Sequence, residues 1–150
     1  PSYRLAPPPI NLRALTMYKS ILITTAADNN SNVLQKIEVA RKLADEDSTI
    51  QIISVMERIP PYITPSLPSD YRETTAQRIK DGIRKKIGGE HYEIHVVEGN
   101  AAHQVVKFAK RNGIDCIVIS SNRPGFPDHF MGSTALNVVR QAACTVTVVR

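Results

Sequence analysis

Glycine, hydroxyl and basic side chains are concentrated in one stretch of the chain, SSNRPGFPDHFMGST, which runs from residue 120 to residue 134. Its last three residues, Gly132, Ser133 and Thr134, lead directly into a helical pattern. The first turn of a helix carries unpaired backbone N–H groups and a partial positive charge, which favour a phosphate group, and glycine lets a ligand approach the backbone closely. Alternatively, Ser133 simply caps the helix, because serine is a preferred N-cap residue. The local pattern leaves both interpretations open.

The first half of the same stretch adds groups suited to binding an anion or a ribose. Ser120 and Ser121 offer hydroxyls, Asn122 an amide and Arg123 a cation. His129 has no serine or acid at a spacing that suggests a catalytic triad, so a surface or packing role is predicted for it. The stretch therefore predicts binding chemistry rather than catalysis.

Strand-like and helical patterns alternate from Met17 to the end of the chain. Apolar or β-branched runs predict strands at residues 20–25, 50–56, 92–98, 115–120 and 144–150. Apolar residues at helical spacing predict helices over 32–44, 71–87, 101–113 and 134–143. This alternation predicts an α/β fold with a doubly wound parallel sheet covered on both faces. Ligands of such sheets bind beyond the carboxyl ends of the strands, where the loop after the fourth strand lies.

Composition argues against two classes of partner. The formal net charge is +5, but Arg4 and Arg13 contribute two of these charges from an acid-free segment, which leaves +3. Without a basic stripe, and with few aromatic residues, no nucleic-acid binding is predicted. No apolar run approaches the roughly 20 residues that span a bilayer, so no membrane interaction is predicted either.

Residues 1–16 differ from the rest of the chain. They contain a triple proline and little periodicity, which predicts a flexible leader or a vector-derived extension. The folded domain is predicted over residues 17–150.

Three common nucleotide or phosphate sites are excluded. The chain has no G-x4-G-K-[ST] loop, and no glycine-rich fingerprint follows the first strand. A response-regulator receiver domain would need acids directly after the first strand, whereas residues 24–27 contain none.

Three segments carry a resemblance to a known family: MYKSILI, VEGNAAHQVVKFAKRNGIDCIVIS and SSNRPGFPDHFMGSTALNVVRQAACTVTVVR. With them, the chain from Met17 to Arg150 resembles the universal stress proteins, and the NRP…HFMGS form is closest to the F/G-type members. The resemblance implies the adenine nucleotide alpha hydrolase-like fold, with five parallel strands in the order 3-2-1-4-5. It also implies a cytoplasmic stress-response protein that binds ATP.

The family's nucleotide motif reads G-x2-G-x9-G-(S/T). In this chain its first glycine falls on Ser120, its second on Arg123 and its last pair on Gly132 and Ser133, with the second spacer one residue shorter. The family's acid at the end of the first strand falls on Ala26, so that contact to the nucleoside is missing.

The resemblance assigns each part of the nucleotide to a set of residues. Adenine falls to Thr24, Thr25, Ala26 and the backbone of Val55; ribose to Gly99 and Ser120; and the phosphates to Ser121, Asn122, Arg123, Gly132, Ser133 and Thr134. Mg²⁺ is a candidate companion of the phosphates, although no carboxylate is obviously placed to hold it. No catalytic residue and no metal ligand is assigned, so at most slow ATP hydrolysis or autophosphorylation is expected.

The terminal strand, Thr145–Val149, is expected at a sheet edge, where an unpaired backbone invites another chain. In the resembling family this strand typically joins a two-fold dimer, which implies a homodimer here. Two alternatives stay open: a nucleotide-free dimeric adaptor of the same fold, which Ala26 and the missing glycines favour, and an ATP hydrolase or phosphotransferase.

Overall fold

The computed structural model describes residues 17–27, 32–121 and 131–150. Parallel strands alternate with helices along the chain, as the hydrophobic pattern predicts. The strands are β1 (Tyr18–Thr25), β2 (Ala44–Met56), β3 (Glu93–Glu98), β4 (Cys116–Ser120) and β5 (Thr145–Val149). The helices are α1 (Val33–Leu43), α2 (Tyr71–Ile87), α3 (Ala101–Arg111) and α4 (Ser133–Gln141), with one short 3-10 turn at Thr64–Ser66.

The five strands form one parallel sheet in the order β3-β2-β1-β4-β5, which confirms the predicted fold and strand order. The chain winds outward from β1 to β3 on one side and from β4 to β5 on the other. The boundary between β1 and β4 is therefore the switch point of the sheet, where doubly wound proteins bind their ligands.

Two apolar layers cover the sheet because side chains of successive strand residues point to opposite faces. Ile21 and Ile23 pack with residues of α1 and α2 on one face. Leu22 and Ile53 pack with residues of α3 and α4 on the other. Both layers consist of buried aliphatic side chains. Because such cores are close-packed, the strand ends are held in fixed positions.

The β2 strand begins earlier than predicted, because the helix before it passes into extended backbone at Ala44 without a loop. Residues 45–48 are polar, so the apolar signal of a strand starts only at Ile50. The backbone nevertheless pairs with β1 from Ala44, opposite Tyr18, across an irregularity that ends at Ser20 and Thr49. Backbone pairing sets this boundary, and side-chain hydrophobicity does not reveal it.

Across these three described ranges, no helix combines the length and the apolar character needed to cross a membrane.

Candidate functional site

The carboxyl ends of the central strands form a crevice at the switch point. The register between β1 and β4 ends at Ile23 and Val118. In contrast, β1 stays paired with β2 as far as Thr25 and Ser54, and β4 stays paired with β5 as far as Ser120. The gap between these two strand ends is called the crevice below. Residues 24–26 lie on its β1 side, and residues 119–121 lie on its β4 side.

On the β1 side, the three residues assigned to adenine have different environments. Thr24 is half-buried and its carbonyl accepts a hydrogen bond from the Lys36 ammonium group. Thr25 is buried, and Ala26 is exposed. Val55, on the neighbouring strand, is half-buried against the α3/α4 layer. The sheet therefore brings the predicted adenine residues to one end of adjacent strands, and Ala26 contributes only a methyl group there.

Gly99 lies in the turn between β3 and α3, where the backbone requires glycine. Its φ of 143° is a value that other residues rarely adopt, and an added Cβ would lie 2.8 Å from Gln104 Nε2. Its N–H donates to the carbonyl of Met56 at 2.9 Å. The turn explains this glycine without a ligand, so its predicted contact with ribose remains a prediction.

On the β4 side, Ser120 and Ser121 connect the crevice to two helices. The Ser120 hydroxyl accepts a hydrogen bond from Asn32 Nδ2 at 3.2 Å, which ties it to the residue before α1. The Ser121 carbonyl accepts from the Gly132 N–H at 3.1 Å, which ties it to the residue before α4. The starts of α1 and α4 therefore converge on two consecutive residues.

The α4 helix begins at Ser133, and Gly132 is its N-cap. The interpretation of Ser133 as a side-chain cap is therefore wrong, because Ser133 is the first helical residue and a glycine stands in the capping position. Within the described residues, no side chain caps this helix. Ser133 and Thr134 are exposed, so their backbone N–H groups can meet a ligand. Asn122 and Arg123 lie outside the described residues.

Two residues of the crevice were not predicted from the sequence, Asn32 and Lys36. Lys36 lies on the buried stripe of α1, with Val33, Ile37 and Ala40. A lysine within an apolar stripe is the signal that could have identified it, because lysine is almost never fully buried unless paired. Asn32 lies four residues earlier, one helical turn away, so both face the sheet.

The polar groups around the crevice are mainly hydrogen-bond donors. They comprise the first N–H groups of α4, the amide of Asn32, the hydroxyl of Ser120 at the end of β4 and the ammonium group of Lys36. Donors in this arrangement suit an anionic oxygen ligand such as a phosphate. Within residues 17–27, 32–121 and 131–150, no three His, Cys, Asp or Glu side chains cluster in a way that could hold a metal ion.

Comparisons with known proteins agree with this architecture. Residues 17–150 match the profile described as the Universal stress protein family. The chain is 26% identical over 144 residues to universal stress protein G of Escherichia coli O157:H7, a match that covers 89% of this chain and all of that protein. The predicted resemblance to the family and to its G-type members is thereby confirmed.

Solved structures of relatives have the same fold. The universal stress protein UspA from Lactobacillus plantarum superposes with a TM-score of 0.71 at 23% identity, over 90% of this chain and 99% of that one. A universal stress protein determined in complex with cAMP superposes with a TM-score of 0.58 at 18% identity, over 90% and 98% of the two chains. At these identities the likeness extends to the fold.

Proposed function

This chain belongs to the universal stress protein family, and on that premise we propose that it binds an adenine nucleotide, ATP, at the crevice. We assign its role to stress-response sensing in the cytoplasm, with binding as the primary activity and any ATP hydrolysis slow. The observation that carries the proposal is the first turn of α4, whose first two residues are exposed and which a hydrogen bond from Gly132 to Ser121 joins to the carboxyl end of β4. The first N–H groups of a helix have no partner within it.

The parts of the nucleotide follow the strand ends. We assign adenine to Thr24–Ala26 and Val55, ribose to Gly99 and Ser120, and the phosphates to Ser121, Asn122, Arg123 and Gly132–Thr134. A helix N-terminus stabilises negative charge within its first turn, which supports the phosphate assignment. The relative solved with cAMP supports an adenine nucleotide as ligand of this fold.

Thermal unfolding with and without ATP tests the proposal. At a ligand concentration about 100 times Kd, binding stabilises the folded state by about 2.7 kcal/mol, which raises the Tm of a domain of this size by about 8 °C. The titration is run with and without Mg²⁺, and mass spectrometry of the purified protein identifies any nucleotide that copurifies. ATP binding would be contradicted if saturating ATP left the Tm of the wild type unchanged and if Ser133→Ala responded to ATP in the same way as the wild type.

A nucleotide-free adaptor is the second candidate, and Ala26 favours it. The exposed alanine offers a methyl group where the family has an acid that contacts the nucleoside. An adaptor of this kind predicts the dimer described next, together with a Tm that does not respond to ATP.

We further propose that the protein forms a homodimer through β5. This strand lies at the edge of the sheet, its first residue, Thr145, is exposed, and Val146–Val148 are half-buried. An open edge with β-branched side chains is suited to pairing with a second copy across a two-fold axis.

Sedimentation of matched edge variants tests the dimer. Thr145→Lys places a lysine on β5, and Glu93→Lys replaces the acid at the exposed first residue of β3, at the opposite edge, with the same side chain. We expect a wild-type dimer that dissociates in Thr145→Lys and persists in Glu93→Lys. A wild-type monomer at all concentrations, or equal dissociation in both variants, would rule out pairing through β5.

A further inference from the structure

Lys36 is a buried cation in the layer between α1 and the sheet. Only 4% of its surface is exposed, and its ammonium group donates to the carbonyl of Thr24. Burial lowers the pKa of this amine from 10.5 to about 8. Among the described residues, no carboxylate forms an ion pair with it. An ammonium group has three donors, and these residues supply one acceptor, so two donors have no acceptor within the described parts of the chain.

Lys36 and Asn32 together span the crevice. They lie one turn apart, and each contacts a different strand: the Lys36 ammonium group binds the carbonyl of Thr24 on β1, and Asn32 Nδ2 binds the hydroxyl of Ser120 on β4. These contacts begin where the β1–β4 register stops. The start of α1 therefore forms one wall of the crevice.

Two buried hydroxyls on the sheet face that α1 covers also support a polar ligand next to this helix. Thr25 Oγ1 and Ser54 Oγ have no hydrogen-bond partner within the described parts of the chain, and the two residues are register partners on β1 and β2. By the alternation of the strands they share the face of Ile23 and Ile52, which α1 and α2 cover. Buried polar groups without partners are rare and require a ligand, a water or a function to explain them.

Building on the nucleotide binding proposed above, we propose that Lys36 binds a phosphate group of the ligand from the α1 wall, opposite the N–H groups of α4. The starts of α1 and α4 meet at Ser120 and Ser121, so a phosphate beyond these residues lies between both helices. The cation neutralises the phosphate, and the site thereby selects phosphorylated nucleotides over the nucleoside.

Isothermal titration of Lys36→Met with ATP and with adenosine tests this inference. Loss of a charge-assisted contact predicts an ATP affinity about thirtyfold lower, with adenosine affinity unchanged. Lys42→Met is the matched control, because Lys42 lies on the same helix and its side chain is exposed and forms an ion pair with Glu38. We expect that variant to bind both ligands as the wild type does.

The ratio of the two affinities separates the outcomes. Both are measured on the same sample, so partial unfolding lowers them alike and leaves the ratio unchanged. An unchanged ratio in Lys36→Met, while the wild type binds ATP, overturns the role of Lys36 and leaves the proposed function standing. A wild type that binds neither ATP nor adenosine overturns the proposed function, and the inference with it.

Discussion

The two walls of the crevice, formed by the starts of α1 and α4, offer different polar groups to the proposed ligand. The α4 wall offers the backbone N–H groups of the exposed residues Ser133 and Thr134, which any sequence that starts a helix there would supply. The α1 wall offers side chains, Asn32 and Lys36, and the lysine is buried. Backbone N–H groups at a helix start do not destabilise the fold, because every helix has them. A buried ammonium group, in contrast, lowers the stability of the ligand-free protein, because the charge is removed from water. The α4 wall therefore depends on backbone geometry, whereas the α1 wall depends on the identity of two side chains.

Substitution of Lys36 should have the largest effect on stability. A pKa lowered from 10.5 to about 8 corresponds to about 3 kcal/mol of destabilisation at pH 7. We therefore expect Lys36→Met to raise the free energy of unfolding at pH 7 by about 3 kcal/mol. Between pH 8 and 10.5 the unfolded chain binds more protons at this residue, so the wild type gains stability as pH rises and the difference shrinks.

Urea unfolding of both proteins at pH 7, 9 and 11 measures this trend. Because the difference between two proteins is compared, other groups that titrate in this range largely cancel. If Lys36→Met is less stable than the wild type at pH 7, the buried ammonium group does not destabilise the ligand-free protein. The energetic contrast between the two walls would then be absent.

The α4 wall should respond to loss of a single N–H group. Proline is tolerated at the first position of a helix, and Gly132, with ψ of 152°, has the extended backbone that proline requires before it. We expect Ser133→Pro to lower ATP affinity about tenfold with little change in Tm. Ser133→Ala removes only the hydroxyl and should lower the affinity by less.

Ala101→Pro is the matched control for this wall. It removes the corresponding N–H group of α3, whose preceding residue, Asn100, has ψ of 126° and is equally compatible with proline. Equal losses of ATP affinity in both proline variants would mean that the effect is not specific to α4.

Asn32→Ala should produce the smallest effect. The variant loses one neutral hydrogen bond, to the Ser120 hydroxyl at 3.2 Å, so we expect a destabilisation of about 1 kcal/mol and an ATP affinity about threefold lower. In a double variant with Lys36→Met, strictly additive losses of ATP affinity would indicate that the two residues do not act as one wall.

Much of this site was accessible from the sequence because strand ends are well marked. The β-branched run before Thr24 and the apolar run before Ser120 predict buried strands, and parallel winding then brings their carboxyl ends together. The Gly132–Ser133 pair could likewise be assigned to the start of a helix. These inferences rest on local patterns that the fold preserves.

The α1 wall was not accessible in the same way. Lys36 lies within the apolar stripe of α1. Hydrophobic periodicity identifies that stripe from Val33, Ile37 and Ala40, and it does not predict that a charged residue between them is buried. Its contact with Thr24 spans twelve residues, and that of Asn32 with Ser120 spans 88. Contacts between distant segments depend on packing, which a single sequence does not specify.

The direct passage of α1 into β2 at Ala44 also bears on where the chain can be cut or lengthened. Proteases and insertions act on exposed backbone outside regular pairing, and at Ala44 helix gives way to strand with no linker between them. The proline-rich connection between β2 and α2, residues 57–70, provides such backbone instead. Limited proteolysis, affinity tags and fused domains should therefore be directed there, because a break near Ala44 would detach the helix that carries Lys36 from the strand that follows it.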